Sequence, residues 1–312
     1  MTCVVAATRS GLVRASCSGA AAWSVEPVLA ADVRCLAADP DVVYAGTQES
    51  GVLRSDDGGA TWMLAGLGGC TVKSLAVSRD GAVHAGARPA RVHVSHDGGE
   101  SWSELAPFSR LRSWWWFSPA ERPFKAYVGA VAVSPDDPDV VLAGIELGGV
   151  FRSEDRGRSW SGHRPGASRD CHALLVQDGW AYQAGGTRGG TVSRDGGRSW
   201  TTLPGLDRRY GWSVAADPAK QEVSYLSAAF ARTARGPGCD AAIFRSDGSR
   251  WERLAGGLPE GISSLPILRA GAPGEVYAAM GDGELWASAD HGGTWRQLPV
   301  DLGGRVRAFL VL

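Results

Sequence analysis

The chain has 312 residues, 21% of them charged, and a formal net charge of −1. That balance supplies no global field for nucleic acid or an anionic membrane, and no apolar stretch approaches the roughly 20 residues that span a bilayer. The length alone suggests two domains, but the 43 glycines suit many tight turns, and seven of the 13 tryptophans each begin the outer strand of one repeated unit.

Taken in chain order, the first residues read as three strands: Thr2 to Thr8, Gly11 to Ser16 and Ala22 to Leu29. The next stretch gives a complete unit. Val33 to Ala37 is an inner strand, Val42 to Thr47 a second, Gly51 to Ser55 a third and Thr61 to Leu64 an outer one. Apolar residues alternate along each run, and Gly, Asp and Pro mark the breaks. The same grammar recurs near 71–106, 128–162, 171–203, 211–254 and 262–298. The last residues, Arg305 to Val311, read as an inner strand with nothing after it.

Each unit carries one phrase, S-x-D-x-G-x-[ST]-W. Intact copies run Ser55–Trp62, Ser95–Trp102, Ser153–Trp160, Ser193–Trp200 and Ser288–Trp295. A shortened copy is Ser246–Trp251, and Ser16–Trp23 has lost the Asp. The Asp accepts bonds from nearby backbone N–H groups in a tight turn. The Gly supplies a conformation that a β-carbon would strain, and the Trp begins the outer strand. These residues read as fold devices, despite their many carboxylates. A period of about forty residues indicates a radial array of small sheets.

The expectation is therefore an all-β, single-domain, seven-bladed β-propeller over residues 1–312, with four-stranded antiparallel blades. The blades cover about 305–312 with 1–30, then 31–66, 70–106, 127–163, 170–204, 210–255 and 261–300. The C-terminal strand completes the N-terminal blade, which closes the ring and pairs strand edges that would otherwise be exposed. Insertions occupy 107–126 and 228–241.

The repeated phrase is the Asp-box, or BNR repeat. In it the chain resembles sialidases, xyloglucanase-type glycosidases, the sortilin ectodomain and the photosystem II assembly factors related to Ycf48. The resemblance covers nearly the whole chain and implies the propeller. It implies no single activity, because the box occurs in enzymes and in binding proteins alike.

Propeller ligands usually bind where the inner strands open onto the central channel. Aligned there, the position after the first apolar residue holds Arg34, Lys73, Gly129, His172, Trp212, Ser263 and Arg307. Two residues earlier stand Asp32, Thr71, Tyr127, Asp170, Tyr210, Gly261 and Arg305. Arg34, Lys73, Arg305 and Arg307 come from three consecutive blades and form a candidate cluster for a carboxylate, phosphate or sulfate. Asp170, His172, Tyr127 and Tyr210 lie opposite and are the candidate catalytic groups, with Trp212 beside them as a binding residue. The competing reading has Asp32 and Asp170 pairing with the arginines and plugging the channel.

The first insertion adds Trp114, Trp115 and Trp116 as candidate binding residues in a lid, or as a surface for a protein partner. Other loops on this face carry Arg9, Gln48, Glu49, Arg88, Arg91, Glu146, Arg188 and Asp282. No metal or cofactor motif is present, so neither is expected. The expected ligand is a carbohydrate or an anionic small molecule, bound or acted on at the channel mouth; a non-enzymatic scaffold is the alternative. The sialidase resemblance would imply an Arg triad and a Tyr nucleophile, but the blade count and a missing Arg-Ile-Pro-type motif argue against it. A xyloglucanase-type cleft needs two propellers and one catalytic Asp from each. A glycoside hydrolase or lyase is the enzyme class left open. Neutral charge and the absence of a binding motif argue against nucleic acid. The start Met1-Thr2-Cys3-Val4-Val5 enters a strand directly, and the six cysteines show no paired spacing. Both point to a cytoplasmic protein with reduced thiols.

Overall fold

The computed structural model describes residues 2–17, 22–111, 116–118, 122–186, 188–206, 209–230 and 238–312. They form seven antiparallel sheets. Blade 1 contains Val33–Ala38, Val43–Thr47, Val52–Ser55 and Met63–Leu64. Blades 2 to 6 begin with the inner strands Thr71–Val77, Val128–Val133, Ala173–Gln177, Arg209–Asp217 and Ile267–Ala270. Blade 7 has Ala308–Val311 as its inner strand, followed by Thr2–Ala7, Leu12–Cys17 and Ser24–Leu29. The expected closure is what the chain adopts: Ala308 pairs with Ala7, Phe309 with Ala6, Leu310 with Val5 and Val311 with Val4.

Five sheets have four strands. In blades 3 and 4 the outermost strand shrinks to one bridge, Arg152 with Ser161 and Val192 with Thr201. The core is divided among the blade interfaces. Val5, Leu36 and Ala308 join blades 7 and 1, for example, and Ile267, Leu302 and Phe309 join blades 6 and 7. No blade buries its apolar faces alone, so stability depends on neighbours around the ring.

The Asp boxes behave as their composition implies. In the first, the Ser55 hydroxyl donates to Asp57 Oδ1 at 2.7 Å and accepts from the Gly59 N–H at 2.9 Å. Asp57 also accepts from the N–H groups of Ala60 and Thr61, at 3.0 and 2.9 Å. The Trp62 indole N–H donates to the Gly59 carbonyl at 3.1 Å. Gly59 is needed twice: its φ is +85°, and a Cβ there would meet Val5 Cγ2 of the neighbouring blade at 2.5 Å.

This geometry sets a pH dependence. Hydrogen bonds from Thr61 and Ser55 hold Asp57 well below the usual carboxylate range. Thr294 and Ser288 hold Asp290 to about 2. At Asp195 burial opposes the charge, but bonds from Ser199 and Ser193 outweigh it and set the value to about 2. Because these folded-state values lie below the unfolded value of about 3.9, the stabilisation is complete above pH ~4 and lost as pH falls through the folded values. The box carboxylates are therefore expected to lower urea midpoints between pH ~4 and ~2, below the range in which His84, held by burial to about 4, already costs stability as pH falls under ~6.5. A midpoint unchanged down to pH 2 would contradict the box geometry.

Candidate functional site

The inner strands reach the channel mouth through a shared irregularity. In blade 1 the register skips from Val33 to Cys35, leaving Arg34 out of the ladder. Lys73, Gly129 and Trp212 are skipped in the same way in blades 2, 3 and 5. A bulge leaves one residue unpaired and re-aims its side chain. His172 and Arg307 occupy the matching place one residue before their strands begin. The bulge is why this position is polar so often: the skipped side chain leaves the blade interior and turns to the central cavity of about 900 Å³, which Arg34, Lys73, Tyr127, His172, Trp212 and Arg307 all line.

Blade 6 departs from the expectation. Its inner strand is Ile267–Ala270, with Ile267 pairing with Ala279. The matching position is therefore Pro266, and Ser263 and Gly261 lie outside the strand register. The reason is local. Ile262 bridges to Ala241 of blade 5, and its carbonyl accepts from the Cys239 thiol at 3.4 Å, so this stretch belongs to the interblade connection.

On the cationic side, Arg34 donates to Asp32 at 2.8 Å, and Arg307 bonds the other oxygen of the same carboxylate. Burial works against the Asp32 charge, but the bonds from Arg307 and Arg34 outweigh it and hold the carboxyl below its ordinary value. One carboxylate thus lies between two guanidiniums. Lys73 Nζ is 3.4 Å from Gln48 Oε1 and 5.2 Å from the centre of the Tyr127 ring. Arg305 also lines the cavity.

On the other side, His172 is central. Its Nδ1–H donates to the Gly211 carbonyl at 2.8 Å, which directs Nε2 into the site. Tyr210 Oη lies 2.7 Å from Nε2, and Asp170 Oδ1 lies 3.0 Å from it. The His172 ring packs against Tyr210 and Trp212, with ring centres 4.7 and 4.9 Å away. Burial opposes the imidazolium. The Asp170 carboxylate, the Gly211 carbonyl and the Glu146 charge outweigh it, and the His172 pKa is raised.

Glu146 is the residue that the repeat alignment leaves among the ordinary loop groups. It is buried and accepts from the hydroxyls of both Tyr127 and Ser118. Together, Glu146, Asp170 and His172 offer three ligand atoms within 4.8 Å of one another. The pairing reading therefore holds for Asp32 and fails for Asp170, which turns to histidine.

Trp116 is a correction. It is 7% exposed and packs in the blade 2–3 core, with its ring centre 4.9 Å from Phe151 and 5.9 Å from Phe108. A side chain held this way cannot cover the channel. Its aromatic bulk fills the space beside the short helix Ala106–Arg110. Trp114 and Trp115 lie outside the described residues. Among the described residues of this insertion, the exposed aromatics are Phe117 and Phe124, whose ring centres are 5.7 Å apart.

Residues 93–104, spanning the second intact box, match the family model described as BNR/Asp-box repeat. The sequence as a whole matches no curated protein. Among solved structures, the fold is similar to that of the GH74 xyloglucanase from Xanthomonas campestris, with 20% identity and a TM-score of 0.67. That alignment covers 94% of this chain but 53% of the enzyme, so the chain spans about half the enzyme's length. YCF48 from Cyanidioschyzon merolae aligns over 92% of this chain and 90% of its own, at 17% identity and a TM-score of 0.62. A YCF48 bound to a D1 peptide aligns over 86% and 82%, at 18% identity and a TM-score of 0.59. With its ring of seven interlocking sheets, the chain is a seven-bladed β-propeller, and residues 93–104 within it match a BNR/Asp-box repeat.

Proposed function

We propose that the channel mouth binds a small polar molecule bearing an oxyanion, with carbohydrate acids as the leading class. The observation that carries this reading is the bulge alignment. Arg34, Lys73 and Trp212 are skipped from their strand ladders, His172 and Arg307 stand at the matching place before theirs, and all five line the central cavity. Guanidinium groups take a carboxylate through two-pronged bonds, while Tyr127, Tyr210 and Trp212 suit a hydroxylated ring. Where the bound molecule reacts, Tyr210, His172 and Asp170 form the proton-transfer chain. Glycoside cleavage or a lyase reaction is the chemistry such a chain would serve.

A screen of glycans and small acids against the wild-type protein tests this. Asp170→Asn and Tyr210→Phe are each expected to reduce binding or turnover at least tenfold. Unchanged values in both variants would remove the site. The pH profile carries a sign. The folded pKa of His172 lies above its ordinary 6.5, so the cationic form is complete below pH ~6.5 and is lost as pH rises through the raised value. Anion binding should therefore weaken on the alkaline side, and His172→Gln should flatten the profile.

A second reading rests on a separate observation, the exposed pair Phe117 and Phe124 with Arg122 5.5 Å from the Phe124 ring centre. An exposed aromatic and arginine patch suits a protein partner. A partner lost on Phe117→Ser with Phe124→Ser, in a protein that binds no small molecule, would favour the scaffold role.

A further inference from the structure

The inner strand of blade 6 carries a residue with no counterpart around the ring. Counting three residues past the bulge position, the other six blades hold Ala37, Ala76, Ala132, Leu175, Ala215 and Leu310. Blade 6 holds Arg269. Arg269 lines the same cavity as the mouth residues. Among the described residues its side chain makes two polar or ring contacts. One guanidinium nitrogen donates to the Leu268 carbonyl at 2.9 Å, and the group lies 6.0 Å from the centre of the Phe309 ring of blade 7. Among the described residues no carboxylate pairs with it. The Cys35 thiol, which acts on the Arg269 charge, has its pKa pushed up to about 12 by burial and therefore carries no compensating charge near neutral pH. Desolvation also lowers the Arg269 pKa, although an arginine stays charged in proteins.

Arg269 is partly buried, and a partly buried guanidinium without a carboxylate loses hydration with no ion pair to offset the loss. Six blades avoid that cost with an aliphatic residue, and the seventh accepts it facing a cavity large enough for a small ligand. We infer that Arg269 is an internal oxyanion-binding residue, seated below the mouth cluster, for a ligand that carries a carboxylate or phosphate group into the channel. The inference deepens the proposed function, since it uses the same cavity. It does not require Arg34 or Arg307 to bind anything.

The test separates the two. Inorganic phosphate is titrated calorimetrically, at constant ionic strength, into four proteins: wild type, Arg34→Ala/Arg307→Ala, Arg269→Met, and the triple variant. The double variant should retain a phosphate isotherm, and adding Arg269→Met should weaken it at least tenfold. Equal binding by the double and triple variants would overturn the inference and leave the mouth reading intact. Equal binding by wild type and the double variant, with loss in the triple, would remove the mouth reading and support Arg269. A wild-type protein that binds no phosphate at millimolar concentration overturns the inference. Without phosphate, Arg269→Met should melt no lower than wild type, because methionine replaces an unpaired charge. A lower melting temperature with phosphate binding unchanged would instead make Arg269 a brace against Phe309, and the inference would fail. Should Arg269→Met not fold, Arg269→Lys keeps the charge and loses the planar fork; it should still weaken phosphate binding in the double-variant background, and unaltered binding there would overturn the inference.

Discussion

Deleting residues 304–312 is expected to abolish cooperative unfolding. The lost segment contains the inner strand of blade 7, which pairs with Thr2–Ala7 at four successive positions. Its removal bares the edge of that strand and opens the ring. It also takes Phe309, which is fully buried, from the blade 6–7 core and Ala308 from the blade 7–1 core. Truncating Phe309 to Ala alone should cost about 3–5 kcal/mol, a large part of the roughly 5–15 kcal/mol that stabilises a typical domain. Calorimetry and urea unfolding check both variants. A truncated protein that melts like the parent would show that the ring does not need its C-terminal strand.

Replacing Arg34 and Arg307 together by alanine should weaken the tighter phosphate-binding component about 100-fold. Two hydrogen bonds to a charged partner contribute about 1.5–3 kcal/mol each, and the partial exposure of both arginines places the result near the low end. Asp32 gives the opposite sign. It now occupies both guanidiniums, so Asp32→Asn should free them and tighten phosphate binding up to about tenfold. A double variant with full affinity, or an Asp32→Asn variant that binds less tightly, would show that the arginines serve only to hold Asp32.

The parts of the site that could be read from the repeat are those that local pattern controls. Aligning the inner strands places Arg34, Lys73, His172, Trp212 and Arg307 at one level because the repeat keeps its register in those blades. The same alignment fails at Ser263, since Ile262 has been drawn into a bridge with Ala241, a contact between blades that periodicity cannot show. Trp116 looks like surface in a loop sequence and is core in the folded chain, because Phe108 and Phe151 come from segments on either side of it. Arg269 did leave a signal, a lone charge in the otherwise apolar run Leu265 to Ala270. Glu146 was legible only as one of several loop residues on this face, because its partners Tyr127 and Ser118 precede it, one just before the blade 3 inner strand and one in an insertion.

By itself the sequence determined the propeller, the number of blades and the way the ends join. Those features follow from a repeated local device, the Asp-box turn with its Ser, Asp, Gly and Trp, and from strand periodicity that acts within each blade. Tertiary structure decided how charge is distributed at the channel. Whether Asp32 neutralises an arginine, whether Asp170 meets a histidine, and whether Arg269 finds a partner depend on which side chains neighbouring blades bring within hydrogen-bond reach. A carboxylate and a guanidinium attract strongly at about 3 Å and weakly beyond a Debye length of roughly 10 Å. Residue spacing along one strand cannot supply those distances, because they are set when the ring closes.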